Sequence, residues 1–252
     1  MGGKLMKKDL REKDDAVSPV IALMLILAIL ATCLAVYTTT YVPGLKQQDE
    51  ITHSGDVKLT FERFASDIDN LVAQGKPAVY TEVLELGGGD VPLSPTKSSG
   101  TIEIEETIIG TYTIGGVTKN LTGITVSYLP SFTAWEPQGY LYENGVVWIT
   151  KNEKKTPASP TLYTIRNGTD HENKTVDAWY KPSGGVLTIP LFSADGISEI
   201  TGVSTVKLKL NATITDETTT ETTTEVTITL PEKTFIYPSL TIRYLNIGVS
   251  LE

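Results

Sequence analysis

Residues 17–37 form an apolar run, VSPVIALMLILAILATCLAVY, which contains no charged side chain. An α-helix rises about 1.5 Å per residue and the hydrocarbon core of a bilayer is about 30 Å thick, so about 20 residues cross it. This apolar segment (residues 17–37) is therefore long enough to span a membrane as a helix. Ser18 and Pro19 favour a helix start, because Ser caps a first turn and Pro needs no N–H partner there.

Basic residues are distributed unequally around the apolar segment. Only Lys46 follows it before Lys58, whereas five basic residues precede it: Lys4, Lys7, Lys8, Arg11 and Lys13. Lys and Arg near the end of a spanning helix keep that end in the cytoplasm. We therefore expect a cell-membrane protein with a cytoplasmic N-terminus and an extracellular C-terminal part.

The junction between the charged leader and the helix is unusual for a secretory signal. Asp14 and Asp15 lead through Ala16 directly into Val17, and no small-residue cleavage site follows the apolar segment. The stretch DDAVSPVIALMLILAIL resembles the class III signal peptide and N-terminal segment of archaeal type IV pilins, over residue 14 to about residue 36. A looser resemblance to archaeal pilin-like surface proteins extends to SYLPSFTAWEPQGYLYENGVVW.

The resemblance implies a processing event and a set of partners. A prepilin peptidase would cut between Ala16 and Val17, next to Asp15, and leave the helix on the mature chain. Implied partners are membrane lipid, the prepilin peptidase and other pilin subunits in a homo- or hetero-polymer. The fifth residue of that mature chain is Ile21, where bacterial pilins have a glutamate. The alternative is an uncleaved signal anchor.

The chain divides into four parts by composition. Residues 1–16 are the leader, 17–41 the membrane or filament-core helix, 42–76 a stalk and 77–252 a β-rich extracellular domain. In the stalk, residues 57–72 have an apolar stripe at helical spacing, formed by Phe61, Phe64, Ile68, Leu71 and Val72. The stripe fits either a continuation of the first helix or a separate helix packed on the β-domain. His53-Ser54-Gly55 is a candidate break, and residues 75–77 end the stalk.

The remainder of the chain has the short apolar runs and turn residues of strands. Thr, which favours strands, is about one residue in seven. Strands are predicted at 80–86, 101–108, 112–114, 124–129, 146–149, 186–189, 206–214, 226–230 and 241–251. We expect 206–214 and 226–230 to form a hairpin around DETTTETTTE. The predicted fold class is α+β: a long N-terminal hydrophobic helix followed by an antiparallel β-sandwich-like domain.

Charge and motif content argue against several functions. The net charge of −9 and pI of about 4.9 disfavour nucleic-acid binding. Cys33 is the only cysteine, so no intrachain disulfide is possible. The histidines are His53 and His171; the Asp-His-Glu triplet around His171 is a weak metal candidate, because adjacent residues rarely converge on one ion. With no hydrolase or P-loop motif, we expect no catalytic site, metal or cofactor.

Four Asn-X-Thr sequons, at Asn120, Asn167, Asn173 and Asn211, predict N-glycosylation of an exported domain. Asn211 falls inside a predicted strand, so its modification requires a side chain on the solvent face. Together these features lead us to expect a major or minor pilin-like subunit of an archaeal surface filament, with a role in adhesion or surface structure. The alternative is a membrane-anchored binding module that does not polymerise.

Overall fold

The computed structural model describes residues 9–88, 91, 92, 94, 96–152, 154–158, 178–215, 225–231, 233–238 and 240–252, with side chains from residue 19 onward. These residues form one long N-terminal helix followed by β-sheets. The predicted α+β fold class is confirmed.

The N-terminal helix runs without interruption from the leader into the domain. It comprises α1 (Asp9–Val36), a single π-helical turn (Tyr37–Tyr41) and α2 (Val42–Gln74). Gly75 ends α2 in the left-handed conformation, φ +56°, and its N–H donates to Leu71 O at 2.9 Å. The candidate break at His53-Ser54-Gly55 is wrong, because His53 and Ser54 are buried and hydrogen-bonded to the β-domain, which offsets the poor helix propensity of Gly55.

Twelve strands are present in the described part of the chain. They are β1 (Ala78–Glu85), β2 (Ser99–Ile114), β3 (Val117–Ser131), β4 (Gly139–Glu143), β5 (Val146–Lys151), β6 (Lys154–Pro157), β7 (Val186–Gly196), β8 (Glu199–Gly202), β9 (Thr205–Thr215), β10 (Glu225–Leu230), β11 (Lys233–Pro238) and β12 (Thr241–Leu251). The predicted strands at 101–108 and 112–114 are one strand, β2, with a bulge between Ile108 and Gly110. Strands β4, β6, β8 and β11 were not predicted.

The strands form two sheets. A four-stranded sheet has the order β1-β9-β12-β7, and an eight-stranded sheet has the order β11-β10-β2-β3-β4-β5-β6, with β8 also paired to β2. All of these pairs are antiparallel except β7–β12, which is parallel. Gly115 and Gly116 both have positive φ, +56° and +81°, in the two-residue turn that joins β2 to β3.

The predicted hairpin between residues 206–214 and 226–230 is wrong. Both segments are strands, but β9 lies between β1 and β12 in one sheet, whereas β10 lies between β2 and β11 in the other. Alternation of apolar and polar residues identifies a strand and its buried face, and it carries no information about the partner strand. The threonine-rich connection, residues 216–224, lies outside the described residues.

One cluster of buried side chains joins α2 to both sheets. The α2 stripe contributes Phe61, Phe64 and Ile68, all fully buried. Phe64 packs edge-on against Tyr142 of β4, with ring centroids 5.1 Å apart and an interplanar angle of 86°. The C-terminal half of the long helix is therefore part of the domain core, so both alternatives for the stalk apply: it continues the first helix and it packs on the β-domain.

Candidate functional site

The apolar segment projects from the domain. Every described side chain from residue 19 to residue 36 is exposed, including Met24 at 65% and Leu30 at 59%. Among the described residues there is one helix long and apolar enough to cross a membrane, with a mean hydropathy of 2.8 in its most apolar window. Each large apolar side chain that stays in water lacks the stabilisation of about 1.5–3 kcal/mol that full burial would give. The segment therefore requires an apolar environment and is compatible with membrane anchoring.

A π-helical turn lies where the exposed helix meets the domain. The Thr38 hydroxyl donates to Leu34 O at 3.0 Å, and the Thr39 hydroxyl donates to Ala35 O at 2.7 Å. Tyr37 and Tyr41 stack with centroids 6.2 Å apart. Tyrosines favour the membrane–water interface, and π-helical turns within α-helices are frequent at functional sites. This turn separates the apolar segment from α2.

Beyond the turn, one face of α2 is polar and buried. Lys46, Glu50, His53 and Ser54, which we call the polar row, are all buried, and Glu50 has no exposed surface. Glu50 lies four residues after Lys46, and His53 and Ser54 lie three and four residues after Glu50, so all four are on the helical face that continues into Phe61 and Phe64. The same face of α2 thus contacts the domain first through hydrogen bonds and then through apolar packing.

Glu50 binds two separate parts of the domain. Its Oε1 accepts hydrogen bonds from the Ser98 hydroxyl and from the Thr133 N–H at 2.8 Å, and its Oε2 accepts one from the Ala134 N–H at 2.9 Å. Burial by itself raises the pKa of Glu50, but these bonds, together with one from the Trp135 amide, stabilise the carboxylate and leave the pKa below its usual value. Glu50 is therefore held as a carboxylate between two loops.

His53 extends the polar row to the adjacent strands. The Tyr128 hydroxyl donates its single proton to Leu86 O at 2.8 Å, so the His53 Nε2–H donates to the Tyr128 oxygen at 2.9 Å. Burial lowers the pKa of His53, although the nearby acidic residues Glu85, Asp49, Asp56 and Glu50 act in the opposite direction. This geometry fits a neutral His53 with its proton on Nε2.

The two ends of the polar row make similar attachments. The Lys46 ammonium donates to the carbonyl and hydroxyl oxygens of Thr96 at 2.6 and 2.8 Å. Ser54 and Tyr140 hydroxyls are 2.8 Å apart, and Gln138 Nε2 donates to the same Tyr140 oxygen at 2.6 Å. Because hydrogen bonds are directional, these contacts fix the rotation of α2 about its axis relative to the domain.

The site residues predicted from sequence lie in several different places. Asp15, Ala16 and Val17 are within α1. Asn120 on β3 and Asn211 on β9 are both exposed, so Asn211 meets the condition of a solvent-facing side chain. Asn167, Asn173 and the triplet around His171 lie outside the described residues. Within the described ranges, no group of three His, Cys, Asp or Glu side chains is placed to hold a metal ion.

The polar row was not predicted from the sequence, where His53 and Ser54 were part of a candidate helix break. The polar row continues the helical spacing of the apolar stripe toward the N-terminus, and this spacing was the signal available in the sequence. A search for apolar periodicity stops at Val57, because the preceding members of the stripe are charged or polar.

Comparison of the chain with protein-family models, with characterised proteins and with solved structures finds no match.

Proposed function

We propose that this chain is a pilin-like subunit, major or minor, of an archaeal type IV pilus-like surface filament. The observation that carries the proposal is the division of one continuous helix into two parts. Its N-terminal part is apolar and exposed, and its C-terminal part is built into the β-domain core. Such a helix suits a subunit that enters a membrane first and later packs against helices of neighbouring copies.

Removal of the charged leader would allow the helix to move from the membrane into a filament. Cleavage between Ala16 and Val17 removes Lys4, Lys7, Lys8, Arg11 and Lys13. Unpaired charges cost several kcal/mol each when they are buried in an apolar environment, such as a bundle of apolar helices. A permanent membrane anchor has no such need, because its leader remains in the cytoplasm.

The polar row supports the same proposal, because it fixes how the long helix is attached to the β-domain. A filament subunit must keep a constant relation between its core helix and its outer domain, since neighbouring copies repeat that relation. Glu50, His53 and their partners hold α2 in one rotational position. Dispersion contacts and apolar burial between packed helices would then replace the contacts with lipid.

Intact-mass analysis of the protein from its native host tests the processing step. We expect a mature chain beginning at Val17, together with electron micrographs of surface filaments whose subunits have this mass. A bulky substitution at the cleavage site, Ala16→Phe, should block both processing and filament formation. Glu12→Gln, a control within the leader, should leave both intact. A native chain that still begins at Met1 or Met6, found only as detergent-soluble monomers, contradicts the proposal and leaves the anchored binding module.

Topology is tested separately by proteolysis of intact cells. The asymmetry of basic residues predicts that residues 50–252 are outside and are degraded by added protease. Complete protection of this part in cells with an unbroken membrane contradicts the predicted orientation.

A further inference from the structure

A pocket lies at the C-terminal end of α2, between that helix end, residues 178–183 and strands β7 and β12. Its volume is about 490 Å³, within the range of small-molecule sites. The 33 residues of α2 place it about 50 Å along the helix axis from the apolar segment. We call it the distal pocket, because it is at the opposite end of α2 from the membrane-compatible helix.

One wall of the distal pocket offers hydrogen-bond acceptors. Asp69 Oδ1 accepts a hydrogen bond from Trp179 Nε1 at 2.9 Å, which orients the carboxylate and leaves Oδ2 as a further acceptor. Asp69 is accessible to solvent, as expected of a residue that lines an open pocket. The surrounding protein raises the pKa of its carboxyl group, although the hydrogen bond from Trp179 acts in the opposite direction. The last carbonyls of α2 and the negative end of its dipole lie on the same wall.

Two cations also line the distal pocket. Arg243 extends from β12, and its Nη1 lies 3.5 Å from Gly75 O. Lys181 is the second cation. A guanidinium binds a carboxylate through two parallel hydrogen bonds, which gives both strength and orientation.

Gly75 lies where the end of α2 closely approaches Thr188 of β7 and Arg243 of β12. Its φ of +56° favours glycine, and a Cβ added there would lie 3.2 Å from Thr188 Oγ1 and 3.7 Å from Arg243 Nη1. The Thr188 hydroxyl adds a group that can both donate and accept.

A pocket lined by both acceptors and cations suits a ligand that carries hydroxyl donors and a carboxylate. We propose that the distal pocket binds a uronic acid residue of an acidic polysaccharide, with its carboxylate on Arg243 and Lys181 and its ring hydroxyls on Asp69. The pocket has room for one or two sugar rings. The net charge of −9 opposes non-specific attraction of a polyanion, so recognition depends on these two cations. This binding goes beyond the filament role and does not require polymerisation.

Titration calorimetry of the full chain in neutral detergent micelles tests the proposal, with trigalacturonic acid as the acidic probe and galactotriose as its neutral counterpart. We expect binding of the acidic probe that weakens with salt, and at least about tenfold weaker binding of the neutral probe. Equal affinity for both probes, or binding of neither, overturns the proposal. Tighter binding of the zwitterionic dipeptide Gly-Gly than of the acidic probe also overturns it, since the pocket would then recognise an ammonium group.

Matched variants locate the binding in the distal pocket. Arg243→Gln should weaken binding of trigalacturonic acid at least about tenfold. Arg63→Gln, which removes an exposed cation elsewhere on α2, should leave it unchanged. Thermal unfolding of each variant checks the fold, and Lys181→Gln replaces Arg243→Gln if the latter does not fold. Affinity unchanged by the loss of a pocket cation overturns the assignment. Because the assay uses detergent-solubilised chains, a failure of filament assembly would not affect it.

Discussion

Replacement of Glu50 by Gln tests whether the polar row stabilises the attachment of the long helix. Glutamine retains one carbonyl oxygen but replaces the other with an NH2 group. An amide nitrogen would then face either the Ala134 N–H, now 2.9 Å from Oε2, or the Ser98 and Thr133 donors on Oε1. A buried donor left unsatisfied costs about 1–3 kcal/mol. We expect Glu50→Gln to lower the free energy of unfolding by about that amount at pH 7.

The effect of this substitution should depend on pH. The pKa of Glu50 in the folded protein lies below its usual value of 4.5, so the unfolded chain takes up this proton first as the pH falls. The stabilisation from the carboxylate is therefore complete above pH 4.5 and is lost as the pH falls through the folded pKa. The difference in unfolding free energy between wild type and Glu50→Gln should shrink over that range.

The measurement is urea unfolding of the full chain in detergent micelles, followed by circular dichroism of the β-domain at several pH values. Glu62→Gln is the matched control: Glu62 lies on the same helix in a surface pair with Lys58 at 3.5 Å. Its removal should change the free energy of unfolding by no more than about 0.5 kcal/mol. If Glu50→Gln is as mild as the control at pH 7, or if its cost is the same at acid pH, the reasoning is refuted.

Three further measurements test His53, the strand pairing and the glycosylation sites. His53→Gln should reduce the loss of stability below pH 6.5. Because the pKa of buried His53 is lowered, the unfolded chain binds a proton below pH 6.5 before the folded chain does, and this favours unfolding of the wild type. An unchanged pH profile would contradict this. Replacing residues 216–224 with a two-residue Asn-Gly turn should prevent folding, because β9 and β10 already have partners on both edges; native circular dichroism of the shortened chain would argue otherwise. Glycopeptide mass spectrometry of native protein should find sugar on at least one of Asn120, Asn167 and Asn173, and three bare sites would contradict the prediction.

Local patterns in the sequence were sufficient to predict much of the fold. The apolar segment, the α2 stripe at Phe61 and Phe64, and strands such as β9 and β12 all follow from periodicity within a few residues. The glycine pair at 115–116 suits its turn for a similarly local reason, since positive φ at both positions favours glycine. These features depend on chain geometry and hydrophobicity, which neighbouring residues largely determine.

Only the tertiary structure decided how these elements combine. It placed β9 and β10 in different sheets, because pairing joins residues far apart in the chain and depends on which faces the core can bury. It also showed why Glu50 belongs on a buried face: its donors come from Ser98, Thr133 and Ala134, which no local pattern connects to it. The distal pocket is similar, since Asp69 and Arg243, far apart in the chain, line one cavity only in the folded domain. Charged residues at buried positions become interpretable only when their distant partners are known, because burial without those partners is unfavourable.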